Sequence, residues 1–177
     1  MSTDHPGPQR YDTTTILLHW LVAIIVLVLW VGASLLDWFP RGPVRADARS
    51  IHITLGLSLG VLGGGRLAWR MSWGKPLPPT EGGVLGALAK ATHLGLYALL
   101  AAMVGVGILL AWTTGDSVFN QFGPPILDAD SRALVDQLRG AHAVIGWLIV
   151  ALVGLHVAAA LFHQFKLRDG ILGRMLP

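Results

Sequence analysis

Four long apolar stretches constrain this chain more than any other feature of its sequence. They cover about residues 14–36, 51–69, 91–112 and 141–162. The hydrocarbon core of a bilayer is about 30 Å thick, and a helix needs about 20 residues to cross it. The bilayer core holds no water to hydrogen-bond the backbone, so each apolar run must pair its own N–H and C=O groups. We therefore expect these runs to be helical. The sequence predicts an all-α membrane protein: a four-transmembrane-helix bundle, with residues 1–177 forming a single domain.

The composition agrees with a membrane location. Of the 177 residues, 53% are hydrophobic and 13% are charged, whereas charged residues make up about 25% of a soluble domain. The net charge of +3 does not indicate nucleic-acid binding, because the cations flank the apolar stretches as topology signals do. The chain has no cysteine, which excludes disulfides, thiolate metal sites, iron–sulfur clusters and covalently attached c-type haem.

The distribution of basic residues predicts the orientation. The polar segment 1–13 does not read as a signal peptide, so we expect the first apolar run to be an uncleaved membrane helix. With a cytoplasmic N-terminus, eight basic residues lie inside and five outside, which favours a cytoplasmic N-terminus and C-terminus. The inner residues are Arg10, Arg66, Arg70, Lys75, Lys90, Lys166, Arg168 and Arg174, and the outer ones are Arg41, Arg45, Arg49, Arg132 and Arg139.

Histidines are the candidate functional residues. Six of the seven lie in the apolar stretches or at their ends: His19, His52, His93, His142, His156 and His163. Ionisable side chains at membrane depth are rare and usually functional. Each histidine alone could be a structural hydrogen-bonding group between helices. Six histidines on four helices, grouped by depth, favour a functional interpretation.

The spacing of two histidines on the fourth stretch predicts two separate sites. His142 and His156 are 14 residues apart, which on an α-helix returns to within about 40° of the same face and about 21 Å along the axis. The alternating direction of the helices places His52 at the outer level with His142. It places His19 at the inner level with His156.

Paired imidazoles at two levels point to two b-type haems. Imidazole is an ordinary axial ligand of haem iron, and two of them fill both axial positions, which favours electron transfer. Gly56 and Gly60 follow His52 at intervals of one turn and leave room for a flat macrocycle, although close helix packing is the alternative explanation. No acidic residue lies inside a predicted span, which argues against a zinc or di-iron site.

Two arginines are candidate contacts for haem propionates at the outer level. Arg49 and Arg139 each precede an outer histidine by three residues, which is one helical turn towards water. Topology signals at the membrane interface would also account for both of them.

Three further residues collect at the inner level. His93, His163 and Lys90 lie near the inner ends of the third and fourth stretches. His93 competes with His156 as the partner of His19. Alternatively, these residues line an inner site for haem propionates or for the head group of a quinone. A plain interfacial role is the remaining explanation for His163.

Several motifs, in order and with these spacings, resemble the bacterial cytochrome b561 family and, more widely, the membrane cytochrome b subunits of hydrogenases and formate dehydrogenases. The resemblance covers nearly the whole chain. The motifs are Leu18-His19-Trp20-Leu21, Ile51-His52 with Gly56, Ala91-Thr92-His93-Leu94, Ala141-His142, Gly154-Leu155-His156-Val157, His163 and the tail from Leu167 to Pro177.

The resemblance implies a bacterial inner-membrane protein with two b haems that exchanges electrons with the quinone pool. His19, His52, His142 and His156 fall at the positions of the family's haem ligands. The size of the chain is similar to members that oxidise superoxide and reduce ubiquinone. The donor would then be superoxide or a redox protein, and the acceptor ubiquinone or another quinone, within membrane lipid.

Two other functions remain open from the sequence. The first is a haem-bearing anchor subunit for a peripheral dehydrogenase or hydrogenase, which the short loops disfavour. The second is a small transporter or proton channel with a histidine relay. The lack of membrane-embedded carboxylates argues against this second function.

Overall fold

Four long helices make up the protein. The computed structural model describes residues 10–78, 82–116, 118, 121 and 132–176. The helices are α1 (Thr13–Leu35), α2 (Pro43–Ser72), α3 (Gly83–Thr114) and α4 (Arg132–Phe162). Each is long and apolar enough to cross a membrane, so the predicted four-helix membrane architecture is confirmed.

Three helices begin earlier than their apolar stretches. α1 matches its predicted range, whereas α2, α3 and α4 begin at Pro43, Gly83 and Arg132 rather than near 51, 91 and 141. Their first turns are more polar than the spans that follow, so hydropathy does not mark them as membrane-spanning. A helix continues into water without loss of its backbone hydrogen bonds, and proline at the first helical position needs no such bond. The first turns therefore extend beyond the apolar spans.

The helices pack in chain order and bury little of their apolar surface. Close contacts join α1 to α2, α2 to α3 and α3 to α4. Among the described residues, the buried apolar side chains are Ile16, Val22, Leu59 and Ile149. Many large apolar side chains are exposed along all four helices, as expected for surfaces that face lipid. Few of the described apolar side chains are therefore buried between the helices.

The C-terminal tail crosses the end of the bundle where α1 begins. The backbone N–H of Tyr11 donates to the carbonyl of Arg174 (3.1 Å), and Trp20 Nε1 donates to the carbonyl of Met175 (2.8 Å). The Arg174 side chain donates to the carbonyl of Pro78 (2.9 Å). The tail thus joins the start of α1 to the segment between α2 and α3.

Asp12 also stabilises this end of the bundle. Its carboxylate caps α1 by accepting from Thr15 N (2.9 Å) and Thr15 Oγ1 (2.7 Å). It accepts as well from Nε1 of Trp69 on α2 (3.0 Å). Partial desolvation raises the pKa of this carboxyl. The hydrogen bonds from Thr15 and Trp69 outweigh that effect and lower the pKa from 3.8 to about 2.

We expect Asp12→Ala to destabilise the protein by about 1–2 kcal/mol, because it removes a helix cap and the link to Trp69. Asp12→Asn, which keeps an acceptor oxygen, should cost less. Since the folded-state pKa lies below the unfolded value, the contribution is complete above about pH 4 and is lost as the pH falls towards 2. Thermal unfolding in detergent, followed by circular dichroism, measures both effects. Equal stability of Asp12→Ala and the wild type would contradict them.

Candidate functional site

Two pairs of histidines face each other across the bundle. The imidazole centroids of His52 on α2 and His142 on α4 lie 6.2 Å apart, with the rings inclined at 65°. Those of His19 on α1 and His156 on α4 lie 6.3 Å apart, inclined at 70°. These are the two combinations that helix direction and residue spacing predict, and their nearly equal separations indicate two sites of the same kind.

The separations suit a metal ion centred between two imidazoles. A metal–nitrogen bond of about 2 Å, with each ring centroid about 1 Å beyond its nitrogen, places the two centroids about 6 Å apart. Both pairs meet this requirement. In the part of the chain that the structure describes, no three His, Asp or Glu side chains converge as a set of metal ligands. Two imidazoles per site is the ligand set that an iron porphyrin uses.

Unpaired ring nitrogens argue against a purely structural role. The Nδ1 atoms of His19 and His142 are buried and have no hydrogen-bond partner among the described residues. A buried polar atom without a partner costs free energy, and neither Nδ1 atom links two helices by a hydrogen bond. Ligand binding accounts better for two buried imidazoles in this arrangement.

The two pairs also bridge the looser parts of the bundle. They join α1 to α4 and α2 to α4, and neither combination is among the close helix contacts of the described residues. A flat prosthetic group needs such a separation between the helices that supply its ligands. The residues present therefore fit two bis-histidine haems.

Three glycines near the His52–His142 pair have different roles. A Cβ at Gly56 would meet no atom within 4 Å, so this position borders open space. A Cβ at Gly60 would lie 3.0 Å from Val104 Cγ1, so Gly60 allows close packing of α2 on α3. A Cβ at Gly107 on α3 would lie 3.4 Å from Cε1 of His142, so α3 approaches this ring closely at Gly107. Of the two explanations for glycine on α2, the structure assigns room to Gly56 and helix packing to Gly60.

His93 makes the His19–His156 level a group of three imidazoles. Its ring centroid lies 5.4 Å from that of His156, closer than the ring of His19. The 6.3 Å separation of His19 and His156 matches the other pair, however, and the 5.4 Å separation does not. His93 thus borders the site at this level.

His163 and Lys90 lie in different settings. His163 begins a turn of π-helix, His163–Leu167, that follows α4. Its Nδ1 is hydrogen-bonded to the carboxylate of Asp169, which also accepts from the backbone N–H of Ile171 (3.0 Å). Desolvation raises the pKa of Asp169, but its hydrogen bonds with His163 and Ile171 outweigh that effect and lower it. Lys90 is exposed on α3.

Three of the five arginines predicted at the outer end lie near aspartates. Arg49 Nη1 lies 3.0 Å from Asp116 Oδ1. Asp116 directly follows Gly115, which ends α3 in a left-handed conformation (φ 68°). Arg139 lies 3.9 Å from Asp136, with both side chains largely exposed. Arg45 lies 3.6 Å from Asp37, which belongs to the short 3-10 turn Leu36–Trp38 that follows α1. These aspartates partly neutralise the positive charge of the three arginines.

Comparison with known proteins identifies the family of this chain. Residues 10–177 match the family described as prokaryotic cytochrome b561. The chain belongs to this family. Cytochrome b561 homolog 2 of Escherichia coli K12 is 35% identical over 96% of this chain and 92% of its own length. Cytochrome b561 homolog 1 of the same organism is 30% identical over 96% and 98%. A Yersinia pestis protein named probable superoxide oxidase CybB is 28% identical over 96% and 97%.

Membership of the cytochrome b561 family gives the general function. The protein is a multi-pass bacterial inner-membrane cytochrome b of the electron-transport class, and the family implies haem b as cofactor. The predicted family, four-helix membrane architecture and inner-membrane localisation are therefore confirmed.

Sequence reasoning missed the settings of several residues within the helices. Gly107 contacts His142, and Trp112 Nε1 is buried without a hydrogen-bond partner within the described ranges. Arg66 lies above the ring of Tyr97, with its guanidinium carbon 5.6 Å from the ring centroid. A spacing of 14 residues from His52 to Arg66, equal to that from His142 to His156, was the available signal for Arg66.

Proposed function

We propose that this protein carries electrons across the bacterial inner membrane through two b haems and delivers them to a quinone. The observation that supports this most directly is the presence of two facing histidine pairs whose ring separations are nearly equal, 6.2 and 6.3 Å. His52 and His142 would hold the outer haem, and His19 and His156 the inner haem, with both termini cytoplasmic. When bound, each haem b supplies an iron centre that accepts and releases one electron.

The residues of the chain set the positions of the two centres. His142 and His156 share one face of α4, about 21 Å apart along the helix axis. A rigid helix therefore fixes the two sites in opposite halves of the bilayer. The lipid-facing apolar side chains of the four helices exclude water from the intervening space.

For the donor, we propose superoxide at the outer face. The name of the Yersinia pestis relative supports this choice, as do the outer arginines, which attract a small anion. Because Arg45, Arg49 and Arg139 are paired with aspartates, we expect this attraction to be modest. If the donor were a redox protein, this attraction of a small anion would not be needed.

For the acceptor, we propose ubiquinone or another quinone near the inner haem. His93 lies beside His156 and is a candidate hydrogen-bond donor to a quinone carbonyl. His163, hydrogen-bonded to Asp169, and the exposed Lys90 are candidate proton sources, because a reduced quinone takes up protons.

We expect two non-covalent b haems per chain, since four histidines form two equivalent pairs. A pyridine haemochrome assay on purified protein, with chain concentration from amino-acid analysis, measures the ratio. One haem per chain, or none, would reject the two-site proposal. Stable co-purification of a large soluble subunit would instead favour an anchor subunit of a dehydrogenase or hydrogenase.

A further inference from the structure

Arg66 is a cation near the inner end of the second membrane span, which covers about residues 51–69. It lies on α2 and is half-buried, with its guanidinium above the ring of Tyr97 on α3. This stacking holds the guanidinium against α3 and leaves its N–H groups available to a further ligand.

The spans contain no carboxylate that pairs with Arg66. Segments 13–36, 52–80, 82–115 and 137–168 contain no aspartate or glutamate. A charged group at membrane depth is costly and normally has a partner of opposite charge. Arg66 therefore calls for an anionic group that the helices themselves do not supply.

Tyr97 adds a second unused donor at the same place. Its hydroxyl is buried and has no hydrogen-bond partner in the described part of the chain. A guanidinium offers five N–H donors and no acceptor, and a phenol offers one O–H donor. The matching ligand is an anion with acceptor oxygens, and a carboxylate meets both conditions.

Arg66 lies at the same level of the bundle as the His19–His156 pair. Arg66 follows His52 by 14 residues, as His156 follows His142. Since α2 and α4 run in the same direction and the His52–His142 pair is level, Arg66 comes level with His156 on nearly the face that carries His52. Arg66 is also close enough to interact electrostatically with His19, His93 and His156. α2 thus places His52 at the level of His142 and Arg66 at the level of His156.

We propose that Arg66 and Tyr97 bind a propionate carboxylate of the haem held by His19 and His156. This proposal rests on the two-haem function above and assigns the two residues as positioning residues for the inner haem. Arg66 then has a second consequence. A nearby cation stabilises the reduced iron, which carries one positive charge fewer, and so raises the midpoint potential of that haem.

The test combines haem retention with redox titration. Arg66→Gln should release one of the two haems to excess apomyoglobin roughly 10- to 100-fold faster, the range expected for loss of a charge-assisted hydrogen bond. The midpoint potential of the same haem should fall, and the other should not change. The affected component is identified as the one that His19→Ala lacks.

Three further variants make the result specific. Arg66→Lys should recover part of the potential, because it keeps the charge without the planar donor set. Tyr97→Phe keeps the ring beneath Arg66 and should produce a smaller change in the same direction. If Arg66→Gln does not fold, Tyr97→Phe still tests whether the two residues bind the inner haem. Arg70→Gln removes the same charge one turn further along α2. Since Arg70 also interacts electrostatically with His93, this variant should leave haem release unchanged and shift the inner midpoint potential less than Arg66→Gln does.

Other outcomes would overturn the proposal. Unchanged haem release and potentials in Arg66→Gln and Tyr97→Phe, with a raised KM for a soluble ubiquinone analogue, would assign the donors to the quinone. Equal shifts in Arg66→Gln and Arg70→Gln would mean a general field rather than a bound carboxylate. Fewer than two haems in the wild-type protein would reject the proposed function itself, and that result is visible without any variant.

Discussion

His142→Ala and His52→Ala should each contain about one haem per chain instead of two, and both should lack the same component of the redox titration. The reason is that His52 and His142 would hold the same haem, since their rings lie 6.2 Å apart and no other described imidazole pairs with them. His19→Ala and His156→Ala should both lack the other component. Pyridine haemochrome analysis and potentiometric titration measure the two quantities.

Two controls define this result. His5→Ala removes the seventh histidine, from the polar N-terminal segment, and should retain both haems. His93→Ala should also retain both, with a shift of the inner component at most, because its ring borders the pair rather than completing it. If His93→Ala instead lost the same component as His156→Ala while His19→Ala kept it, His93 would be the inner ligand.

Superoxide should reduce the outer haem of the His19→Ala variant, yet electron delivery to quinone should fall to the level of a haem-free control. The inner relay is missing in this variant, whereas the outer His52–His142 pair is intact. In His52→Ala, neither haem reduction by superoxide nor quinone reduction should exceed the control. Stopped-flow absorbance with a superoxide source, followed by an assay of quinol formation, separates the two steps.

The same experiment tests the role of charge at the outer face. Superoxide is an anion, and salt at 0.1 M screens exposed charges beyond about 10 Å. Since Arg45, Arg49 and Arg139 are paired with aspartates, we expect raised ionic strength to slow haem reduction only about two- to fivefold. A rate independent of salt would remove the steering argument. No reduction of either haem by superoxide would reject this donor and leave a quinone-linked cytochrome with a different one.

The number of membrane spans and the main histidine pairs could be derived from the sequence, because both depend on local rules. An apolar run longer than the bilayer thickness has helix as its only stable conformation, and this gave α1 nearly to the residue. The spacing from His142 to His156 sets one face and two depths through helix geometry alone. The direction of each helix then selects His52 and His19 as partners, and their rings face those of α4 in the folded protein.

Features that depend on the distance between helices were decided only by the tertiary structure. Gly56 and Gly60 are equivalent in the sequence, but only Gly60 lies against Val104. Arg49 and Arg139 hold equivalent positions before their histidines, yet Arg49 is fixed by Asp116 across the bundle and Arg139 remains exposed. Arg66 looked like one inner charge among eight until α3 placed Tyr97 beneath it. Periodicity gives the face and depth of a residue within its own helix, whereas its partners depend on how neighbouring helices rotate and approach one another.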